Sequence, residues 1–323
     1  MPVEAAGTLE FETLELGSKQ VESLEGKETL KPIKLGNRRV TGKEQYYTPT
    51  ETALEIFDGI RGIMPDFKKR VFLEPAGGTG SFINAAIAAG FSTIVSYDIE
   101  PLHPKVKLGN FLEQNLEISG AITATNPPFG RCNSLSIPFF NHAAKYSDLI
   151  VFIVPRSWRK WSVQNKLNRN FHLVRDDDLT INYVDAKGEH NYQKNNLRTC
   201  IQYWKRDDSL LRPLYSVQDM GVITKCSFED AEVSLTIFGY SCGTVKTEFP
   251  RKKNTTQMFL KLNHPLALEA LENVDFSRFF NHTAYTEALS IKEINYLLNE
   301  YIFGDPKLLN PENANQLFEE VID

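Results

Sequence analysis

Val71-Phe-Leu-Glu74-Pro-Ala-Gly-Gly-Thr-Gly80-Ser-Phe82 is the stretch on which the fold turns. An apolar run leads into a glycine-rich turn, and Ser81 opens an Ala- and Ile-rich segment that stops at Gly90. The pattern is that of a buried strand, a tight turn and a helix. Glycines let backbone amides approach a ligand closely, and the positive end of the helix faces the same point. The next apolar run, residues 93 to 97, ends at Asp98, eighteen residues after Gly80. A carboxylate there can accept hydrogen bonds from both hydroxyls of a ribose, as in nicotinamide-dependent enzymes, or simply hold a turn ahead of Pro101.

Working outward, residues 121 to 125 and 149 to 154 predict two more strands, ending at Asn126 and at Pro155-Arg156. Strand, helix and strand in this order predict a parallel sheet with right-handed crossovers, which binds ligands at the carboxyl ends of its strands. Upstream, Ala53, Leu54, Ile56, Phe57 and Ile60 are spaced as an amphipathic helix over residues 50 to 63, with Thr50 as its expected cap. Residues 171 to 183 and 199 to 205 predict an antiparallel hairpin closing the sheet around a long polar loop. Beyond Arg212-Pro213, strand-like segments (232 to 238, 258 to 262) alternate with helical ones (265 to 271, 291 to 301). The expected organisation is a flexible acidic leader (1 to 36), an α/β Rossmann-like domain (37 to 212), a small α+β domain (213 to 304) and an acidic tail (305 to 323).

Fifty-two residues after Glu74 comes Asn126-Pro127-Pro128-Phe129. The nitrogen of an exocyclic amine conjugated with a planar ring, such as that on adenine, is a poor nucleophile because its lone pair is delocalised. The Asn126 side-chain oxygen and the Pro127 carbonyl can each accept one N–H of such an amine, turning its lone pair toward an electrophile. Proline fixes the turn and offers no competing donor. Phe129 supplies a face on which a flipped base can stack, and Gly130 leaves room beside it. Taken alone, Asn-Pro-Pro also serves as a strand-ending turn.

Tyr46-Tyr47-Thr48-Pro49, then Glu74-Pro-Ala-x-Gly-x-Gly-x-Phe82, then Asn126-Pro-Pro-Phe129 resemble, in that order, the motif set of the S-adenosylmethionine-dependent N6-adenine DNA methyltransferases. The resemblance spans about residues 44 to 160. It implies a class I methyltransferase sheet and a catalytic turn at Asn126, Pro127, Pro128 and Phe129. It further implies that S-adenosylmethionine is held by Tyr46, Tyr47, Thr48, Pro49, Glu74, Pro75, Ala76, Gly78, Gly80 and Phe82, with Asp98 on the ribose and Ile99 beside it. Gly109-Asn110-Phe111-Leu112 falls where the family often carries Gly-Asp-Phe-Leu. Asn110 there keeps an acceptor for the cofactor's adenine but loses the charge, and Phe111 completes the implied set.

The formal net charge of −5 argues against a nucleic-acid partner only at first sight. Residues 1 to 30 hold seven acidic and two basic side chains, and 305 to 323 hold five and one, so residues 31 to 304 are mildly basic. Within them, Arg156, Arg159, Lys160, Lys166, Arg169 and Arg175 are interleaved with Trp158 and Trp161. Cations neutralise phosphates and indoles stack on unpaired bases, so Arg156, Trp158, Arg159, Lys160 and Trp161 are candidate nucleic-acid contacts, the alternative being a solvated helix with partly buried tryptophans. Arg251, Lys252 and Lys253 are a second candidate set, although a run of three charges is usually surface.

Cys132, Cys200, Cys226 and Cys242 form no Cys-x-x-Cys pair, so neither a metal site nor a disulfide framework is expected. With no apolar signal core and no span of membrane length, the expected setting is soluble and cytoplasmic, with no membrane and no metal. The partner expected is nucleic acid, DNA ahead of RNA. Asn-Pro-Pro-aromatic turns also serve RNA adenine and protein glutamine methyltransferases, and a non-catalytic nucleic-acid-binding homologue is the reading from another class.

Overall fold

The computed structural model describes residues 46–185 and 197–310. The leader at 1 to 36, the core of the polar loop at 186 to 196 and the tail from 311 lie outside the described residues. The described residues all fall within one compact unit.

Helix α1 (Thr50–Ile63) turns Ala53, Ile56, Phe57 and Ile60 inward, as their spacing predicts. Thr50 does not cap it. Pro49 occupies the cap position, no side chain bonds the first turn, and Thr50 is already helical. Proline suits this place because its φ is preset, and its carbonyl accepts the Ala53 amide at 3.1 Å.

The sheet is built from β1 (Val71–Glu74), β2 (Thr93–Asp98), β3 (Lys107–Leu108), β4 (Ala121–Thr125), β5 (Ser147–Pro155), β6 (Phe171–Leu179) and β7 (Thr199–Arg206). Their order is β3-β2-β1-β4-β5-β7-β6. β1, β2, β3, β4 and β5 run parallel. β7 lies antiparallel between β5 and β6 and makes the closing hairpin. This is the mostly parallel, Rossmann-like α/β sheet with an antiparallel closing hairpin that the sequence predicts.

Alternation along the strands divides the core into two layers. Phe72, Leu149, Val151 and Ile153 point to the side of α1 and α2 (Ser81–Ala89). Leu73, Ile150, Phe152 and Val154 point to the side of α3 (Ser136–Ala143), together with Phe139, Phe140, Trp158 and Trp204. All five residues of β4 are buried, including the hydroxyls of Thr123 and Thr125 on one face; Thr123 Oγ1 shares a 2.6 Å hydrogen bond with Ser147 Oγ. Helix α3 gives no clear sequence signal because Pro138 sits within it; the proline falls in the first turn, where its missing N–H costs nothing.

The C-terminal part, which follows the short helix α4 (Trp161–Gln164) and strand β8 (Ser216–Val217) and includes helices α5 (Ala267–Asn273) and α6 (Ser277–Phe280), has its own core. Strands β9 (Ile223–Lys225), β10 (Val233–Thr236), β11 (Val245–Lys246) and β12 (Gln257–Leu262) form an antiparallel sheet of order β11-β10-β12-β9. Helix α7 (Ile291–Phe303) packs on it through Ile294, Leu297 and Leu298, and it starts with a Ser290–Glu293 capping box. Leu308 and Leu309, within the stretch expected to be tail, pair with Val217 and Ser216. No described helix is long and apolar enough to cross a membrane.

Candidate active site

Four segments far apart in sequence meet at the carboxyl ends of β1, β2, β4 and β5. The glycine turn starts from Glu74, whose Oε1 accepts the Ala76 amide at 3.0 Å. Gly78 donates its amide to Asp98 Oδ2 at 2.8 Å, and the Gly77 amide bonds the Tyr97 carbonyl at 3.0 Å, so the turn is stitched to the end of β2. Gly78 (φ 43°) and Gly80 (φ 85°) adopt left-handed backbone. A Cβ on Gly78 would lie 2.8 Å from the Tyr47 ring, and one on Gly80 would lie 2.4 Å from His103. Both glycines are therefore required twice, by backbone angle and by space. Gly77, not singled out from sequence, is confined by space alone, since its Cβ would meet Ser96 Oγ at 2.4 Å. Only the contact with β2 reveals that.

Glu74 is 1% exposed, and its Oε2 has no hydrogen-bond partner among the described residues. Burial pushes its carboxyl up to about 8; the nearby Thr125 hydroxyl and the Ala76 amide pull the other way. Thr125 Oγ1 and Glu74 Oε2 nevertheless close no hydrogen bond, so the hydroxyl is near but poorly aligned. At neutral pH Glu74 is chiefly a neutral carboxylic acid awaiting a partner.

Asp98 already serves the turn that the alternative reading foresaw. Its Oδ1 accepts the Glu100 amide at 2.8 Å while Oδ2 holds Gly78. Burial raises its pKa, and the Gly78 and Ile99 amides oppose the rise. Each carboxylate oxygen keeps a second lone pair for a further donor. Ile99 follows at 61% exposure, an uncovered apolar side chain at the end of the strand.

The Tyr46–Pro49 segment joins the cluster through its backbone. Tyr47 and Val184 exchange amide bonds of 3.3 and 3.1 Å, and the Tyr46 ring rests on Tyr183 at 5.1 Å between centroids. The Tyr46 carbonyl accepts Asn126 Nδ2 at 2.9 Å. That bond sets the Asn126 amide, because a carbonyl can only be met by the NH₂ end. Asn126 Oδ1 is left buried and without a partner among the described residues.

After Asn126 the backbone is held in an uncommon path. Gly130 (φ 68°), Cys132 (φ 53°) and Asn133 (φ 64°) are all left-handed, and the Phe129 carbonyl accepts the Leu135 amide at 3.2 Å. Asn133 Nδ2 bonds Ser157 Oγ at 3.2 Å, which ties this turn to the end of β5. Phe129 is 7% exposed, so its ring forms part of the wall with only an edge open.

Several expectations need correction. Phe82 and Phe111 are 5% and 1% exposed and belong to the two core layers; their rings are not presented to a ligand. Asn110 caps the short 3-10 turn Phe111–Glu113 through the Leu112 amide at 3.2 Å, and it donates to Glu113 at 2.7 Å. Trp158 is fully buried, its indole donating to Ser136 Oγ at 3.3 Å, and it cannot stack on a base. Arg159 pairs with Asp176 (Nε to Oδ1 3.1 Å) and Asp178 (2.8 Å), and Arg156 pairs with Asp178 at 2.9 Å. Lys160 reaches Glu293 at 3.3 Å, and Trp161 stacks on Tyr296 at 5.4 Å. The Arg/Lys/Trp stretch thus mainly fastens the C-terminal part and strand β6 (Phe171–Leu179) to the end of β5. Its acidic partners lie 17 or more residues away, so sequence proximity concealed them. Arg251 donates to the Phe228 carbonyl at 2.9 Å and covers the Phe249 ring; it is exposed, as are Lys252 and Lys253.

No family profile matches the sequence, and no curated protein matches it. Distant likenesses to solved structures cover part of the chain. A Pyrococcus horikoshii protein described as a "putative RNA methyltransferase" is 19% identical, with 53% of this chain and 90% of that one covered, at a TM-score of 0.42. A Listeria monocytogenes protein described as a "putative class I S-adenosylmethionine-dependent methyltransferase" is 14% identical over 52% and 63% of the two chains, at 0.40. The "modification subunit of a putative type I restriction enzyme" from Vibrio vulnificus is 14% identical over 77% and 59%, at 0.39. The chain thus spans less than two thirds of the latter two. Similarity this distant assigns no residue a role. Among the described residues there is no cluster of metal-ligating side chains.

Proposed function

We propose that the chain is an S-adenosylmethionine-dependent methyltransferase acting on the exocyclic N6 of adenine in DNA, with residues 37 to 212 as the catalytic domain and 213 to 304 as the target-recognition part. The observation that carries this reading is Asn126: its NH₂ is committed to the Tyr46 carbonyl, and its buried Oδ1 is an acceptor without a donor. A buried acceptor left unpaired costs about 1 to 3 kcal/mol, so its retention at the mouth of the sheet fits a ligand N–H.

The residues fit the cofactor. Gly78 and Gly80 let the turn run close against Tyr47 and His103, and the unpaired Glu74 Oε2 suits the ammonium end of a methionine moiety. Asp98 has lone pairs for the ribose, and Ile99 is an apolar surface beside it. When bound, S-adenosylmethionine supplies an electrophilic methyl group on a sulfonium sulfur. Asn126 Oδ1 and the Pro127 carbonyl orient the target amine by taking its two N–H groups, so that its lone pair faces that methyl in line. The edge of Phe129 bounds the pocket for the extruded base, and the attacking nitrogen loses its proton to water after transfer, so no strong general base is needed.

The test is to incubate the protein with methyl-labelled S-adenosylmethionine and, separately, duplex DNA, structured RNA and total protein, then digest and identify the labelled monomer. N6-methyladenine from DNA is the expected product. The same product from RNA alone would move the assignment to the RNA class; label on glutamine or cytosine would overturn it. Asn126→Ala is expected to lower transfer at least about a hundredfold, the loss typical of a transition-state hydrogen-bond partner, with cofactor binding by calorimetry nearly unchanged.

A further inference from the structure

Tyr240 is wholly exposed, at 106% of its reference area, and Phe238 two residues before it is 49% exposed. Both sit on the connection between β10 (Val233–Thr236) and β11 (Val245–Lys246). Exposed aromatic rings at one turn are unusual on a soluble protein unless something covers them. The turn is not loose. The Cys242 amide bonds the Gly239 carbonyl at 2.9 Å, the Gly243 amide bonds the Thr236 carbonyl at 2.8 Å, and Gly243 backs closely onto Phe276.

The turn is also tied to the catalytic edge of the large sheet. Phe238 bridges Ala288, and the Gly239 amide donates to the Glu287 carbonyl at 3.0 Å. The Glu287 carboxylate pairs with Arg198 at 3.5 Å, the Arg198 guanidinium donates to Asn281, and the Arg198 carbonyl accepts the Arg156 amide at 3.0 Å. Arg156 follows the last residue of β5, the strand beside β4, at whose end stands Asn126. A short series of hydrogen bonds and one ion pair therefore leads from the aromatic turn to the end of β5, the strand next to the one that carries Asn126. Charge points the same way: between residues 237 and 257 there are four cations, Lys246, Arg251, Lys252 and Lys253, against one acid, Glu248. The Thr256 carbonyl, three residues beyond Lys253, accepts the Ile237 amide at the root of the turn.

We propose that the 237–243 turn is a nucleic-acid contact in which the Tyr240 ring stacks on a base next to the one carried into the active site. The proposal rests on the reading of the chain as a DNA adenine methyltransferase and deepens it. Extruding a base leaves its neighbours with an open stacking face, and a rigidly presented aromatic ring is the side chain that can cover it. A ring contact of this kind is indifferent to sequence and to salt, whereas the nearby lysines act on phosphates and are screened.

The test uses the full chain, a fluorescein-labelled DNA duplex with one mismatched adenine, and Tyr240→Ala and Tyr240→Phe, read by anisotropy over a range of salt. Tyr240→Ala is expected to weaken binding by about tenfold or more, with the slope of affinity against salt unchanged and S-adenosylmethionine binding and melting temperature as in wild type. Tyr240→Phe is expected to bind like wild type, because the ring face and not the hydroxyl makes the contact. Unchanged affinity in Tyr240→Ala, equal loss in both variants, or a change in sedimentation coefficient that accounts for the effect would overturn the proposal. If the wild-type protein methylates DNA and Tyr240→Ala binds and methylates equally well, this proposal alone falls. If the wild type neither binds nor methylates DNA, the functional reading falls and takes this one with it.

Discussion

Glu74→Gln offers the sharpest physical test of the cofactor end of the site. Glu74 is buried at the end of β1, and burial lifts its carboxyl from an ordinary 4.5 to about 8. Between those values the unfolded chain is ionised while the folded one holds its proton, so the unfolded state binds fewer protons and stability falls as pH rises. The loss accrues at about 1.4 kcal/mol per pH unit, giving about 3 kcal/mol at pH 7 relative to pH 4.5 and levelling above pH 8 at no more than about 5 kcal/mol. Glutamine is neutral at every pH, nearly isosteric, and its carbonyl can still accept the Ala76 amide. The ligand-free variant is therefore expected to match wild type near pH 5 and to exceed it by about 3 kcal/mol at pH 7, measured as urea unfolding free energy at several pH values. S-adenosylmethionine binding should move the other way. A cationic partner at Oε2 would drive the carboxyl to ionise, so wild type is expected to release close to one proton on binding at pH 7, seen as a calorimetric enthalpy that varies with buffer, while Glu74→Gln binds more weakly and releases none. A stability difference between the two proteins that does not change between pH 5 and 8 would refute the reasoning, because Glu74 would then be ionised already in the folded protein.

Gly80→Ala is expected to destabilise the chain by about 1 to 2 kcal/mol from its left-handed backbone alone and further through contact with His103; Gly80→Ala with His103→Ala should recover the second part and not the first, as thermal melting would reveal. Full recovery in the double variant would show that the backbone angle is not the constraint. Arg159→Ala is expected to cost about 3 kcal/mol, the low end for breaking a largely buried ion pair, because it leaves Asp176 with the neutral Gln202 amide as donor in place of a guanidinium, while Arg159 itself retains 19% exposure. Its salt dependence of DNA binding should stay near that of wild type; a slope reduced by about one counterion would return Arg159 to the phosphate contacts.

The contrast between Asn126 and Trp158 shows how much of the site could be read in the sequence. Asn126 stands in a motif whose prolines dictate the local turn, so its acceptor role could be reasoned from four neighbouring residues. Its remaining free atom could not, because the Tyr46 carbonyl that takes its NH₂ is eighty residues away. Trp158 lies among basic residues and reads as an exposed stacking platform, yet the 3-10 turn Arg156–Arg159 rolls it into the core against Phe140 and Phe152. Phe82 and Phe111 lie in the core layers for the same reason: a motif letter says which residue type is present, not on which side of the backbone it is buried.

The sequence by itself determined the sheet and the edge at which its motifs gather. Apolar runs, turn residues and the alternation of strand and helix are short-range signals, and right-handed crossovers turn them into one topology with Glu74, Asp98, Asn126 and Pro155 at the carboxyl ends. Tertiary structure alone decided which charges are spent and which rings are exposed. Arg159 is neutralised by Asp176 on a neighbouring strand, Lys160 by Glu293 on α7, while Tyr240, in a segment with no motif, stands fully in solvent. Those outcomes depend on partners brought together by folding, and a linear sequence records the partners without recording that they meet.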